Sequence, residues 1–158
     1  MNAKMRVTLL GMLLLAGVVC IPSASAAQCS LAGSSGQYGF TLTGVLILPT
    51  GPVTIAAVGR ASLDATGIAS GTESRSVGGE FADETFTGTY SVNAGCTGTA
   101  TINFYESGQL VRTSVLSLVF DANQREIRMV QKSLQLPDGA LLPVVVTVEA
   151  KRIFTEDD

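Results

Sequence analysis

Residues 68–105 read IASGTESRSVGGEFADETFTGTYSVNAGCTGTATINFY, and this stretch decides the fold. Two segments of strand length, 68–77 and 80–92, are separated only by Gly78-Gly79. A glycine pair supplies the positive φ that a two-residue hairpin turn requires. Beyond the hairpin, Phe86, Gly88, Tyr90 and Val92 alternate with Thr85, Thr87, Thr89 and Ser91. The next segment, 97–105, sets Ala100, Ile102 and Phe104 against Thr99, Thr101 and Asn103. A period of two puts each set on one face of a sheet, with the apolar set turned inward.

The same grammar extends in both directions. Strands are expected at 37–48, 53–63, 109–120, 124–134 and 140–154, separated by Pro49-Thr50-Gly51-Pro52, Asp64-Ala65-Thr66-Gly67, Asn93-Ala94-Gly95-Cys96, Glu106-Ser107-Gly108, Asp121-Ala122-Asn123 and Pro137-Asp138-Gly139. The two prolines of the first link are read as excluding ladder pairing there. No segment shows a helical period outside the N-terminal leader. Short links between neighbours favour a meander. An even number of antiparallel strands can pair last with first and leave no free edge. The expected fold is all-β, a single eight-stranded antiparallel meander barrel over residues 27–158. A β-sandwich built from the same strands is the alternative architecture.

Parity assigns the lining. Phe40, Phe86, Ile102, Phe104, Leu116, Met129 and Val146 are expected inside, with Gly44, Gly59, Gly71 and Gly88 relieving crowding. The segment 109–120 departs from simple alternation, with Leu110, Leu116, Leu118 and Phe120 on one face and Val111, Val115 and Val119 on the other. Its apolar outer face, joined by Val130 and Val145, is a candidate homo-oligomer interface, with an ordinary apolar exterior as the plain alternative.

The N-terminus reads as an address. Lys4 and Arg6 precede the apolar run 7–19, and Ala24-Ser25-Ala26 offers a cleavage site, so residues 1–26 are expected to be a signal peptide. Cys20 follows bulky Val19, which argues against a lipid-attachment signal. Removing Lys4 and Arg6 from ten basic residues leaves eight against thirteen acidic ones, a balance unsuited to nucleic acid or an anionic membrane surface. The chain is therefore expected to be secreted or periplasmic. Cys29 and Cys96 remain after cleavage and are expected to form a disulfide in an oxidising compartment. An outer-membrane barrel fits the size, but the chain has no Trp to build aromatic girdles, and Arg60, Lys132 and Glu149 fall on the outward face.

The absences narrow the chemistry. The chain contains no histidine, which excludes a Ser-His-Asp triad, a Cys-His pair and a His-ligated metal. No glycine-rich loop precedes a helix, and acidic residues lack calcium-loop spacing, so neither cofactor nor metal is expected. Asp83 and Glu84 are strand neighbours that point opposite ways, a poor arrangement for paired carboxylates. What remains is polar side chains on apolar faces: Glu73, Arg75, Tyr90, Arg112 and Gln131. Buried charge is costly unless paired, so these residues form either a salt-bridged network or a binding site.

Tyr38-Gly39-Phe40, Phe86-Thr87-Gly88-Thr89-Tyr90-Ser91-Val92 and Cys96-Thr97-Gly98-Thr99-Ala100, in an eight-strand layout, resemble the allene oxide cyclase and dirigent barrel group. With Cys29, they are also similar to a recurring set in secreted bacterial proteins to which no activity is attached. The resemblance covers most of the chain after the leader. It implies a barrel that holds an apolar molecule, either binding it or steering the cyclisation or isomerisation of an unsaturated substrate by shape. No catalytic residue transfers. The leading expectation is an exported barrel that binds a small apolar ligand; a structural envelope protein is the other reading.

Overall fold

Thirteen-residue runs of alternating side chains are long enough to cross a small barrel obliquely, and three such strands occur in this chain. The computed structural model describes residues 28–153. Within them lie a one-turn helix α1 (Leu31–Ser34) and the strands β1 (Gly36–Leu48), β2 (Gly51–Leu63), β3 (Ile68–Val77), β4 (Glu80–Tyr90), β5 (Thr97–Glu106), β6 (Gln109–Asp121), β7 (Glu126–Gln135), β8 (Leu141–Leu142) and β9 (Val144–Arg152). The proposed signal peptide, residues 1–26, and the end of the last expected strand at Phe154 lie outside the described residues.

Strands β1 to β7 pair in chain order, β7 pairs with β9, and β9 returns to β1 from Tyr38↔Arg152 to Leu46↔Val144. Every pairing is antiparallel. The result is a closed eight-stranded barrel, not a sandwich, with β8 as a two-residue extra strand on β7. Closure satisfies the backbone groups that an open sheet would leave at its edges.

The core sits in the lumen and is organised by large-against-small pairing. Phe40 on β1 faces Gly59 on β2, and Gly71 on β3 faces Phe86 on β4. A Cβ on either glycine would run into the ring opposite, so the absent side chains are the space the rings occupy. With β2 and β3 thus bare, Phe40 reaches Phe86 across two intervening strands, with ring centroids 5.9 Å apart in an edge-on arrangement. Phe86 in turn meets Phe104 at 5.5 Å. Val146 is buried against Gly44 in the same manner.

One end of the barrel is plugged by the N-terminal segment. Ser30 caps α1, its Oγ accepting from the Gly33 N–H at 3.1 Å. The fully buried Tyr38 shares its hydroxyl proton between the carbonyls of Ser34 (2.9 Å) and Gln124 (2.8 Å). Arg152 donates to the Gly33 carbonyl at 3.0 Å and also bonds the Ser35 carbonyl, satisfying acceptors that a short helix leaves open. The Cys29–Cys96 disulfide, with Cα atoms 5.0 Å apart, ties this plug to the loop before β5, as expected from the cysteine count.

Several local expectations are corrected. Residues 31–34 form a helical turn where none was expected, because Ser30 supplies a cap. Pro52 lies within β2, opposite Ile47, leaving Pro49-Thr50 as a two-residue turn; at a hairpin tip the missing N–H is tolerated. The last segment is split at Pro143, which has no donor to continue the ladder. Gln124 belongs to a turn rather than to β7: Ala122, Asn123 and Gln124 all take positive φ (47°, 59° and 66°). Leu110 was expected to share the inner face with Leu116, but it is 40% exposed. The cause is a bulge: Phe104 faces Arg112 while Tyr105 faces Leu110, so Val111 is an extra residue that packs on the core.

Candidate functional site

Glu73 and Arg75 stand on the inner face of β3, Glu84 on that of β4 and Arg112 on that of β6. Register places them in one layer. Glu73 faces Glu84 across β3 and β4, and both lie one inward position beyond the Gly71–Phe86 pair, toward the hairpin tips and away from the plug. Arg112 faces Phe104 across β5 and β6.

Two guanidiniums hold two carboxylates in this layer. Arg112 Nη2 donates to Glu73 Oε1 at 2.6 Å, and its Nη1 bonds Glu84 Oε2. Arg75 Nε bonds the other Glu84 oxygen, and its Nη2 reaches Glu106 Oε2 at 3.4 Å on the rim. Below the network, Arg112 lies 3.8 Å from the centre of the Phe104 ring, a cation–π contact that secures its orientation. Side chains of Glu73 and Glu84 are at most 1% exposed, whereas Glu106 is 46% exposed. Charge therefore runs from a buried, balanced pair of ion pairs to the open rim.

The two carboxyls are tuned in opposite directions. Burial pushes the Glu73 carboxyl above its ordinary value, the Arg112 contact offsets only part of that, and the facing Glu84 carboxylate adds a further upward push. Burial also acts upward on Glu84, but the hydrogen bond from Arg75 and the charge of Arg112 outweigh it and hold its carboxyl below the ordinary value. The difference is one of partners. Glu84 uses both oxygens, while Glu73 Oε2 is buried with no hydrogen-bond partner.

Toward the plug, the barrel lumen holds a cavity of about 100 Å³. Its wall includes Phe40, Phe86, Ile102, Phe104, Leu116 and Met129, and its polar members include Glu73, Arg112, Ser114, Tyr90 and Gln131. Of the lining residues expected from parity, Val146 is buried but lies off this wall. Among the polar candidates, Glu73, Arg112, Gln131 and Tyr90 reach the cavity and Arg75 stands outside it, over the network. The Tyr90 hydroxyl donates to the Asp64 carbonyl at 2.6 Å, so it closes the plugged end. Gln131 Nε2 donates to Ser114 Oγ (2.9 Å) and to the Ser133 carbonyl (3.1 Å).

Glu84, set aside above with Asp83 as a poor carboxylate pair, is a member of the network. The signal was present: it shares parity with Phe86, Gly88 and Tyr90. A second feature had no such signal. Val115 faces Ser133 while Leu116 faces Gln131, so Lys132 is a bulge that flips parity and turns Leu134 into the core after Gln131. Among the described residues no group of His, Cys, Asp and Glu is placed to hold a metal ion.

No protein family matches the chain, and neither does any curated protein. Solved structures do. The chain is similar to a redesigned β-barrel, mFAP1, bound to DFHBI, at 13% identity and a TM-score of 0.51, covering 78% of this chain and 98% of that one. It is also similar to EF1p2_mFAP2b bound to DFHBI, at 10% identity and a TM-score of 0.55, covering 79% of this chain and 100% of that one. At these identities the likeness shows the fold: a closed β-barrel.

Proposed function

We propose that this protein is an exported barrel that binds one small, largely apolar molecule in its lumen. The carrying observation is the luminal cavity of about 100 Å³ walled by Phe40, Phe86, Ile102, Phe104 and Leu116. Its size is of the order of the about 150 Å³ engineered cavity that takes benzene, so the ligand is ring-sized and not a long acyl chain. That two barrels of similar fold are bound to a small molecule, DFHBI, supports a ligand-binding reading. The Cys29–Cys96 bridge supports an oxidising compartment.

The test is titration of the purified protein with benzene, toluene, phenol and indole, followed by amide NMR shifts. The expected result is saturable shifts clustered at wall residues, lost in Ala100→Leu, which fills the cavity, while the spectrum stays folded. Failure of all four to bind would overturn the reading.

A second reading, cyclisation or isomerisation of an unsaturated apolar substrate, is favoured by one observation: Glu73 and Arg112 stand in the cavity wall beside apolar surface. There a carboxyl with a raised pKa and a guanidinium can polarise a bound molecule. Turnover of such a substrate that disappears in Glu73→Gln with binding retained would distinguish catalysis from binding.

A further inference from the structure

Resting on the ligand-binding reading above, we infer that the lumen selects a neutral ring-sized molecule carrying one hydrogen-bond donor, a hydroxyl or N–H, which Glu73 Oε2 accepts.

The geometry supplies three constraints. Glu73 contributes to the cavity wall, and its side chain is 1% exposed. Its Oε1 is held by Arg112 at 2.6 Å, which orients the carboxylate, while Oε2 is buried without a partner. A buried acceptor of this kind is costly until something donates to it. Charge sets the third constraint: within the buried layer two carboxylates already face two guanidiniums, so neither a net anion nor a net cation is favoured. Apolar wall elsewhere rewards a hydrocarbon body. The ligand class that satisfies all three is a phenol or an indole rather than a hydrocarbon, an acid or an ether.

The experiment compares phenol, toluene and anisole by titration calorimetry on the purified protein. In a wholly apolar cavity toluene binds better than phenol, because the hydroxyl loses its water without replacement. Here phenol is expected to bind about tenfold tighter than toluene, with anisole, which has the oxygen but no donor, weaker still. Glu73→Gln presents an N–H where Oε2 stood, since Arg112 retains the amide oxygen, and the preference for phenol over anisole is expected to collapse. Should that variant fail to fold, acidifying the native protein through the raised pKa of Glu73 reads the same property, because the protonated carboxyl presents a donor, and the phenol preference falls. Toluene binding as well as or better than phenol would mean that water satisfies Oε2; it would overturn this inference and leave the apolar-ligand reading standing. A phenol preference unchanged by Glu73→Gln and by acid would also overturn it. Absence of binding by all three would overturn both.

Discussion

The Arg112 guanidinium lies 3.8 Å from the centre of the Phe104 ring, its register partner across β5 and β6. That contact anchors the cation between an aromatic floor and two carboxylates. It lets one arginine serve Glu73 and Glu84 without reaching the rim. The apolar lumen and the charged layer thus meet at Arg112 and Glu73.

Glu84→Gln is expected to destabilise the fold by about 3–5 kcal/mol, the range for removing one member of a buried ion pair. It strips Arg75 and Arg112 of their shared partner. Glu73→Gln is expected to cost less, about 1 kcal/mol, because Arg112 keeps Glu84 and the amide oxygen, and the charge that burial disfavours is removed. Urea unfolding of both variants checks the contrast, and equal losses would contradict it.

The pH dependence follows from the opposite tuning of the two carboxyls. Glu84 has its folded pKa below the ordinary 4.5, so its stabilisation is present above 4.5 and is lost as pH falls through the folded value. Glu73 has its pKa raised above 4.5 in the folded state, so its contribution is full below 4.5 and is lost as pH rises through the raised value. Urea midpoints between about pH 3 and 7 should therefore fall steeply on the acid side in the native protein. In Glu84→Gln that fall should be shallower, and in Glu73→Gln any gain on moving from neutral toward pH 4.5 should vanish.

Reduction of Cys29–Cys96 opens a 67-residue separation and is expected to remove about 4 kcal/mol by the chain-entropy estimate. The plug should loosen first, since the bridge anchors the segment ahead of α1. Hydrogen exchange of residues 30–38 in the Cys29→Ser, Cys96→Ser protein measures this; unchanged protection there with global loss of stability would place the effect elsewhere.

Gly71→Ala is expected to cost about 1–3 kcal/mol, the usual range for overpacking, because its Cβ meets the Phe86 ring and the Arg60 carbonyl. Adding Phe86→Leu should recover part of that loss, leaving a coupling energy in a double-mutant cycle. Simple additivity would show that the ring and the glycine do not share space.

The eight barrel strands and most of their turns and inner-face parity were legible in the chain, because a period of two and turn chemistry are local properties, and the Cys29–Cys96 pairing was legible from the cysteine count alone. That Glu73, Arg112 and Gln131 fall on the inner face was legible for the same reason. Leu110 was misplaced and Leu134 missed because bulges at Val111 and Lys132 reset parity, and a bulge depends on the partner strand. Tyr90 was placed correctly, but its hydroxyl turned out to be taken by Asp64, a residue 26 positions away in the chain.

By itself the sequence determined a run of antiparallel strands with a greasy inner face, since alternation and glycine turns act over a few residues at a time; that they close as a barrel and not a sandwich was decided by the return of β9 onto β1. Only the tertiary structure decided that Arg112 bridges Glu73 and Glu84, that Glu73, a residue of the cavity wall, keeps one buried oxygen without a partner, and that Arg75 stands outside the cavity. These facts depend on the stagger between strands β3, β4 and β6, and stagger is settled by how the whole barrel closes.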